Sequence, residues 1–277
     1  MRPAEVVRRG TTYLARHDVQ SPAQNAERLM MSVLGLDRAA TFARTEGLST
    51  AEAKLYGRLL CRRCAGTPLQ HLTGEEGFRG LALTTRPGVF VPRPETEVLV
   101  EVALRSLADG SAPLVVDVGT GTGAAALAIK AERPDARVWA TDLSAEAAAL
   151  ARENAGRLGL DIRVVEGDLL LPLPESLRGR IDLVVANPPY VPVEEADTLP
   201  REVRGDPPSA VFGDVALTER LLRDAAEWLR PRGAAVIEIE ERQGSALTAT
   251  AQRLGYEDVS VSQDLTDRDR VLAARRP

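Results

Sequence analysis

From Pro94 onwards the sequence alternates between short apolar runs and segments with helical periodicity. The apolar runs predict strands at residues 114–118, 137–141, 162–165, 181–186 and 234–239, with two further short strands closing the chain. Helices are predicted between them at residues 124–132, 144–159, 217–229 and 245–254. Strands that are apolar throughout and separated by helices are typical of a parallel sheet covered on both faces. We therefore predict an α/β domain with a mostly parallel sheet.

The first 73 residues follow a different pattern, which predicts a small helical bundle. Apolar residues recur at helical spacing from Val6 to Leu14, and Ser21-Pro22 begins a second amphipathic segment. Ser49 and Glu52 have the spacing of a capping box at the start of a third helix. Residues 78–91 are rich in Thr, Val and Leu and predict a β-hairpin linker. The predicted organisation is a helical domain at 1–73, a hairpin linker at 74–92 and the α/β domain at 93–277.

The composition excludes several classes of protein. Hydrophobic residues make up 44% and charged residues 27% of the chain, which is typical of a folded protein and not of a disordered one. No apolar run approaches the ~20 residues needed to span a bilayer, and the N-terminus lacks an apolar signal core. Cys61 and Cys64 form one C-x-x-C pair without a second, so we expect neither a metal site nor a redox site. These features predict a cytoplasmic protein that does not bind membranes.

The charge is distributed unevenly along the chain. Residues 1–74 carry 11 basic and 6 acidic side chains, whereas the remainder carries 24 basic and 34 acidic ones. Neutralisation of phosphates supplies most non-specific affinity for nucleic acids, so an acidic α/β domain is poorly suited to bind them. We therefore expect no direct contact with nucleic acid. The basic N-terminal part suits an acidic partner, and a solvated helical surface explains it equally well.

A glycine-rich turn follows the first predicted strand of the α/β domain. It comprises Asp117, Gly119, Thr120, Gly121, Thr122 and Gly123. Glycines let the backbone turn tightly and approach a ligand, and open α/β sheets bind ligands at this edge. The spacing from Gly119 to Ala124 also fits a dinucleotide fingerprint, and a tight turn without a ligand is a third interpretation. The alternating glycines, with Asp117 placed to meet an amino-acid group, favour S-adenosylmethionine as the cofactor.

Two acidic residues follow the next two predicted strands. Asp142 lies 25 residues after Asp117, and a carboxylate there can accept both hydroxyl hydrogens of a ribose. Asp168 follows the third strand, where it could accept a hydrogen bond from an adenine amine. A lone aspartate after a strand is also common as a turn or cap residue. The sequence leaves both roles open for Asp168.

The tetrapeptide Asn187-Pro188-Pro189-Tyr190 directly follows the apolar run at 181–186. Two prolines remove two backbone donors, so neighbouring carbonyl oxygens are left to accept hydrogen bonds from a ligand. The Asn187 side-chain oxygen and the Pro188 carbonyl could together accept both hydrogens of an –NH₂ group, while the Tyr190 ring stacks on the planar group that carries it. This arrangement predicts methyl transfer to a planar, amide-like nitrogen. A plain proline loop is the alternative.

These motifs resemble those of the release factor glutamine methyltransferases, the PrmC/HemK group. The resemblance covers nearly the whole chain and includes Thr-Pro-Leu-Gln-His-Leu-Thr-Gly at 67–74, Val-Pro-Arg-Pro-Glu-Thr-Glu at 91–97, the glycine turn and the tetrapeptide. It implies a Rossmann-like class I S-adenosylmethionine-dependent methyltransferase domain with a small N-terminal helical bundle that docks the substrate. It also implies methylation of the side-chain amide nitrogen of the glutamine in the Gly-Gly-Gln motif of class I peptide chain release factors, the proteins of translation termination.

The resemblance also assigns roles to residues. By this matching the cofactor is bound by Gly119 to Gly123, Asp142 and Asn187. Asp117, Asp168 and Leu169 are further candidates for cofactor binding because of their positions after the predicted strands. The same matching gives Asn187, Pro188, Pro189 and Tyr190 the role of binding the substrate glutamine and the catalytic role. Arg93, Thr96 and Glu97 would line the substrate site from the interdomain side, although they could equally cap the following helix. A large protein substrate is compatible with a monomer, which we expect here.

Several positions depart from the family pattern. Glu240 stands where the family has glycine, and Leu169 stands where an aromatic residue often packs on adenine. The segment from Asp206 to Asp214 differs in sequence from the family pattern and is shorter than usual. The main alternative is a DNA adenine methyltransferase, because the tetrapeptide also suits the exocyclic amine of adenine. Such enzymes flip the base and need a basic recognition surface. The acidic catalytic part disfavours that alternative.

Overall fold

The N-terminal pattern forms a bundle of helices in the structure, a computed structural model that describes residues 1–107, 112–200 and 203–277. The helices are α1 (Pro3–Ala15), α2 (Pro22–Leu34), α3 (Arg38–Ala43), α4 (Thr50–Cys64) and α5 (Leu69–Thr73). Ser49 and Glu52 form the predicted capping box, with the Glu52 amide donating to the Ser49 hydroxyl at 3.2 Å. The short helices α3 and α5 were not predicted, because five or six residues carry too little periodicity to identify a helix.

The core of this bundle is built from apolar side chains and one buried cation. Leu14, Leu29 and Met30 are fully buried. Arg63 is only 4% exposed, and its Nε donates to the Asn25 side-chain oxygen at 2.6 Å. The chain divides into two compact units, and the first comprises Met1–Glu75 together with Leu199–Gly205. The second unit comprises Glu76–Thr198 and Asp206–Pro277.

The predicted hairpin exists, but its predicted bounds of 78–91 are wrong. The paired strands are β1 (Glu75–Phe78) and β2 (Leu81–Thr84). Arg79 and Gly80 form the turn with φ of +44° and +77°. The segment from Thr85 to Glu95 is irregular, because the prolines within it cannot donate to a strand ladder.

The α/β pattern forms one sheet of seven strands within the described residues. The strands are β3 (Leu114–Val118), β4 (Arg137–Asp142), β5 (Ile162–Glu166), β6 (Ile181–Ala186), β7 (Leu229–Glu238), β8 (Glu257–Gln263) and β9 (Asp269–Arg275). Their order is β5-β4-β3-β6-β7-β9-β8. Strands β3 to β7 pair in parallel, whereas β9 is antiparallel to both β7 and β8. The predicted mostly parallel sheet is confirmed.

The register of the central strands brings their ends together. Val118 of β3 lies opposite Thr141 of β4 and Ala186 of β6. Because parallel strands end at the same edge, the segments after β3, β4 and β6 must meet there. Those segments are the glycine turn, Asp142 and the Asn-Pro-Pro-Tyr tetrapeptide.

Helices cover both faces of the sheet. The helices of this unit are α6 (Thr96–Ser106), α7 (Ala124–Glu132), α8 (Ala145–Leu158), α9 (Pro208–Val211), α10 (Val215–Trp228) and α11 (Gly244–Arg253). Neighbouring strand residues face opposite sides, so Val115 packs with α6 and α7 residues such as Leu99 and Leu127, while Val116 packs with Leu222 and Leu247. Within the described residues, every helix is too short or too polar to cross a bilayer.

Candidate active site

A cavity of about 390 Å³ lies at the carboxyl edge of the parallel strands, within the second unit. Its wall is formed by the segments that follow β3, β4, β5 and β6, by the irregular segment after the hairpin, and by residues around α9. The lining includes most of the predicted site residues: Thr96, Asp117, Gly119, Thr120, Gly121, Thr122, Asp142, Asp168, Leu169, Asn187, Pro188 and Pro189. Sequence motifs that are 70 residues apart therefore face one space.

The glycine turn is held by its own aspartate. Asp117 is 2% exposed, and its Oδ2 accepts hydrogen bonds from the Thr120 hydroxyl at 2.6 Å and the Ala126 amide at 3.1 Å. Burial raises the pKa of Asp117 to about 6, although these two hydrogen bonds act in the opposite direction. In this structure Asp117 thus ties the turn to the start of α7, while its side chain still borders the cavity.

The conformation of the turn explains its glycines. Gly119 and Gly121 have φ of +71° and +57°, which residues with a Cβ adopt only with strain. A Cβ at either position would meet no atom within 4 Å, so the backbone there borders open space. Gly123 differs, because its Cβ would lie 3.0 Å from the Leu127 side chain. The first two glycines leave room for a ligand, and the third permits close packing of the helix.

Asp142 connects the second strand to the glycine turn. Its Oδ2 accepts the Gly121 amide and its Oδ1 accepts the Ser144 amide, both at 2.8 Å. Burial raises the pKa of Asp142, while the two amides act in the opposite direction. Each carboxylate oxygen has a second lone pair, so Asp142 can still accept hydrogen bonds from a ligand. Leu143, which is 74% exposed, lines the cavity beside it.

Asp168 and Leu169 border the cavity after β5. Asp168 Oδ2 accepts a hydrogen bond from the Arg220 guanidinium at 2.6 Å, and 41% of the Asp168 side chain is exposed. This leaves Oδ1 to face a ligand. Leu169 has φ of +47°, an uncommon conformation for a leucine, and it contributes an apolar side chain to the wall.

The first residue of the tetrapeptide is oriented by a hydroxyl. Asn187 Nδ2 donates to the Thr96 Oγ at 3.0 Å, and Thr96 begins α6. Because the amide nitrogen is engaged there, the Asn187 side-chain oxygen points the other way and is left to accept. Pro188 and Pro189 follow in the wall, and the chain returns against them at Gly213. A Cβ on Gly213 would lie 2.1 Å from the Pro189 carbonyl oxygen, so only glycine fits.

Tyr190 is anchored differently from the rest of the tetrapeptide. Its hydroxyl donates to Oε1 of Glu238 at 3.0 Å, and burial raises the pKa of Tyr190. Glu238 is 1% exposed, and burial raises its pKa to about 7, with the Thr96 and Tyr190 hydroxyls and Arg270 acting in the opposite direction. The cavity wall is formed by Asn187, Pro188 and Pro189, whereas the Tyr190 hydroxyl is directed to the end of β7.

The other predicted substrate residues hold the surrounding segments. Arg93 pairs with Asp206 and lies over the Phe90 ring, 5.1 Å from its centroid. Asp206 also accepts the Val91 amide at 3.3 Å, and burial raises its pKa to about 6 despite the Arg93 charge. Glu97 accepts the amide of Arg79 in the hairpin turn at 3.1 Å. Of the predicted substrate residues Arg93, Thr96 and Glu97, Thr96 lines the cavity. Direct contact of Arg93 and Glu97 with the substrate stays a prediction.

Comparisons with known proteins follow this division of the chain. A family model described as the PrmC N-terminal domain matches residues 5–74, and one described as a methyltransferase small domain matches residues 80–200. A release factor glutamine methyltransferase of Deinococcus radiodurans is 44% identical over 100% of this chain and 99% of its own length. One of Moorella thermoacetica is 40% identical over 98% of this chain and 96% of its own length.

The chain belongs to the release factor glutamine methyltransferase family. Solved structures support the fold alone. A 16S rRNA N2 G1207 methyltransferase of Thermus thermophilus, solved with AdoMet and guanosine, has a TM-score of 0.54 at 21% identity over 73% of this chain and 50% of that one. A ribosomal protein L11 methylase of Lactobacillus delbrueckii has a TM-score of 0.51 at 23% identity over 69% of this chain and 84% of that one.

The structure accounts for Glu240, where the family pattern has glycine. Glu240 has φ of −75° and ψ of 143°, an extended conformation that any residue adopts. Its carboxylate accepts the Arg242 amide at 2.9 Å and the Arg242 Nε at 2.7 Å, and Arg242 also pairs with Glu195 at 2.6 Å. Glu240 therefore caps the short 3₁₀ turn Glu241–Gln243 and leaves the backbone free of strain.

Several contributors to the site were missed from sequence, among them Leu143, Glu238 and Asn154. Leu143 could have been found as an apolar residue directly after the strand-ending Asp142. Glu238 interrupts the apolar run of β7, and an acidic residue in such a run signals a partner or a function. Asn154 gave no signal: it is fully buried in α8, exchanges hydrogen bonds with the Thr84 backbone and donates to the Thr122 carbonyl at 2.9 Å.

Among the described residues there is no group of three or more His, Cys, Asp or Glu side chains that could hold a metal ion. Cys61 and Cys64 are free thiols near the end of α4.

Proposed function

We propose that this chain uses S-adenosylmethionine to methylate the side-chain amide nitrogen of the glutamine in the Gly-Gly-Gln motif of class I peptide chain release factors. The observation that carries the proposal is the Asn187 side chain, whose oxygen is left to accept because Thr96 holds its nitrogen. It lines the same cavity as the glycine turn. The names of the full-length relatives support the glutamine substrate.

The residues of the glycine-turn wall fit S-adenosylmethionine. Gly119 and Gly121 border open space, Asp142 would accept from the ribose hydroxyls, and Asp168 Oδ1 would accept from the adenine amine. Leu143 and Leu169 provide apolar surface for a flat base. When bound, the cofactor supplies a methyl group that its sulfonium has already activated, leaving S-adenosyl-L-homocysteine.

The tetrapeptide would prepare the nitrogen that receives the methyl group. An amide nitrogen is a poor nucleophile because its lone pair is delocalised into the carbonyl. The Asn187 side-chain oxygen and the Pro188 carbonyl accept its two hydrogens, which increases electron density on nitrogen and favours tetrahedral geometry. Fixed acceptors need no reorganisation during the reaction, so positioning and electrostatics provide most of the rate. After transfer the nitrogen loses one proton to water.

Incubation with methyl-labelled S-adenosylmethionine tests this function directly. Three substrates are compared: a class I release factor, the same factor with the motif glutamine replaced by glutamate, and duplex DNA. We expect label in the first alone, located on the motif glutamine by mass spectrometry. Label in DNA but not in the release factor would establish the adenine methyltransferase alternative, and label in neither would reject both functions.

We also propose that residues 1–73 dock the release factor and that the enzyme acts as a monomer. The support is the excess of basic side chains in this part of the chain, including the exposed Arg8 and Arg9. Replacing both by glutamate should raise KM for the release factor and leave the cofactor Kd unchanged. The matched control replaces Arg137 and Arg180, exposed at the opposite edge of the sheet from the cavity. Equal effects of the two charge reversals would reject the docking role, and sedimentation would check the monomer.

A further inference from the structure

Glu238 is a buried carboxylate to which the proposed reaction gives no task. It ends β7 and is 1% exposed. Its Oε1 accepts the Tyr190 hydroxyl, whereas its Oε2 has no hydrogen-bond partner among the residues that the structure describes. A buried carboxylate with one oxygen unpartnered destabilises a fold, because the desolvation of its charge is only partly compensated.

The fold does not need an acid at this position. Its neighbours Ile237 and Ile239 are fully buried apolar residues, and its backbone pairs with Val271 of β9 in the regular ladder. An apolar side chain would fit between these neighbours without the cost of a buried charge, although it would leave the Tyr190 hydroxyl without its acceptor. What distinguishes position 238 is its contact with the last residue of the tetrapeptide. Natural proteins keep such destabilising groups mainly where function uses them.

The tetrapeptide is held at both ends by groups that converge on Glu238. Asn187 donates to the Thr96 hydroxyl at 3.0 Å, and Tyr190 donates to Glu238 at 3.0 Å. The Thr96 hydroxyl also acts on Glu238, lowering the pKa of that carboxyl. Thr96 begins α6 and Glu238 ends β7, so the two ends of the tetrapeptide are fixed to different elements of the domain.

We propose that Glu238 is a positioning residue for methyl transfer: by accepting the Tyr190 hydroxyl it fixes the tetrapeptide in the conformation that presents the Asn187 and Pro188 oxygens to the glutamine amide. The proposal rests on the proposed function. Glu238 touches neither substrate nor cofactor in this scheme and acts through Tyr190. A displacement of the acceptors by about 1 Å is enough to reduce turnover by about a hundredfold.

The surroundings of Glu238 predict that this role depends on pH. The ionisable groups that face it are Tyr190 after β6, Arg270 on β9 and Glu95 before α6. Arg270 is engaged with Asp264 at 3.1 Å, so its charge only partly compensates Glu238. With the pKa of Glu238 near 7, the carboxylate that accepts from Tyr190 forms as the pH rises through neutrality. Turnover should therefore have a limb that increases through about pH 7.

Three variants test the proposal, with kcat and KM for the release factor and the cofactor measured from pH 5.5 to 9. Glu238→Met removes the acceptor with an unbranched side chain of similar length. Glu238→Gln keeps a neutral acceptor, and Tyr190→Phe removes the donor. Glu153→Gln is the matched control, because Glu153 is a half-exposed carboxylate paired with Arg86 at 2.5 Å.

We expect Glu238→Met to lower kcat by about 10- to 100-fold with an unchanged KM for the cofactor and a higher melting temperature at pH 8. Glu238→Gln resembles the protonated carboxyl, so at every pH it should keep the rate that the wild type has at low pH, which lies above that of Glu238→Met, and it should lose the limb near pH 7. Tyr190→Phe should resemble Glu238→Met, and the double variant should be no slower than either alone. A protein that melts higher and works more slowly cannot have lost a merely structural group.

These experiments distinguish a failure of the proposed function from a failure of the positioning role of Glu238. If the wild type labels no release factor, the proposed function fails, whatever the variants do. If the wild type is active and Glu238→Met retains its kcat across the pH range, the positioning role is overturned while the function stands. An additive double variant, or a Tyr190→Phe enzyme as fast as the wild type, would overturn it equally.

Discussion

The two walls of the cavity are built in different ways. On the glycine-turn wall, Asp117 accepts hydrogen bonds from Thr120 and Ala126, which lie three and nine residues further along the chain. On the tetrapeptide wall, Asn187 is held by a hydroxyl 91 residues away and Tyr190 by a carboxylate 48 residues away. One wall is organised by its own segment and the other by elements that the sheet topology brings to it.

Each wall contains a buried carboxylate, and the two are satisfied to different degrees. Burial raises the pKa of Asp117 to about 6 and that of Glu238 to about 7. Asp117 Oδ2 accepts two hydrogen bonds, from Thr120 in its own turn and from Ala126 in α7. Glu238 accepts one through Oε1, from Tyr190, and its Oε2 accepts none from the described residues. We infer that the glycine-turn wall mainly binds the cofactor. The tetrapeptide wall mainly positions the nitrogen that receives the methyl group.

Replacing Asn187 by alanine should have the largest effect. The variant lacks the side-chain oxygen that accepts the amide hydrogen, and loss of one preorganised polar group of this kind lowers kcat by about 10²–10³-fold. Cofactor affinity and the melting temperature should change little. Steady-state labelling of a release factor measures the first, and calorimetry measures the other two.

Thr96→Val serves as the graded control for Asn187→Ala. It retains Asn187 but removes the hydroxyl that orients its amide, so we expect a smaller fall in kcat. Turnover of Asn187→Ala near the wild-type rate would contradict the role of the tetrapeptide as the acceptor of the amide hydrogens.

The pH dependence of stability should separate the two carboxylates. A carboxyl whose pKa is raised on folding stabilises the native state below its ordinary value near 4.5, and this contribution is lost as the pH rises through the folded value near 7. One pKa unit corresponds to about 1.4 kcal/mol, so Glu238→Gln should remove a decrease on the order of 3 kcal/mol between pH 4.5 and 7.5. Urea unfolding across this range measures it.

Asp117 contributes in the same direction over a lower range, from its ordinary value near 3.8 to about 6. The Glu238→Gln protein should therefore retain the part of the decrease that lies below pH 6. Identical profiles for this variant and the wild type would show that Glu238 does not titrate differently in the native and unfolded states.

A matched pair of glycine substitutions should isolate ligand contact from backbone strain. Gly121 and Gly159 have φ of +57° and +65°, and a Cβ at either meets nothing within 4 Å. Alanine at each position should cost about 1–2 kcal/mol in stability. Gly121→Ala also places a methyl group beside the cavity, so the Kd of the cofactor should rise about tenfold, as measured by calorimetric titration.

Gly159 ends α8 away from the cavity lining, so Gly159→Ala should leave the cofactor Kd unchanged. The same rise in Kd for both variants would mean that strain alone accounts for the effect, and the glycine turn would lose its role as a binding wall.

Glu240→Gly should have the smallest effect. It restores the residue typical of the family and removes the cap of a short turn, and glycine at a cap costs only a few tenths of a kcal/mol. We expect a small fall in melting temperature and an unchanged kcat. A severalfold change in kcat would place Glu240 within the tetrapeptide wall and blur the contrast between the two walls.

The parts of the fold that were predicted from sequence are those that depend on neighbours along the chain. Strands β3 and β6 and helix α7 were predicted with their observed bounds, because each is a mainly apolar run with turn residues nearby. The hairpin was placed too late, since residues 85–91 have β-forming composition but contain a proline that prevents pairing. The composition of the last strands does not indicate that β9 pairs antiparallel with β7 and β8.

The same distinction applies to the site. By itself the sequence determined the glycine turn, its aspartate and the tetrapeptide, because consecutive residues fix backbone conformation and short-range hydrogen bonds. Only the tertiary structure decided that Thr96 orients Asn187, that Arg93 pairs with Asp206, and that Tyr190 meets Glu238. Those pairs depend on which strand ends lie side by side, and strand order arises from packing of the whole sheet.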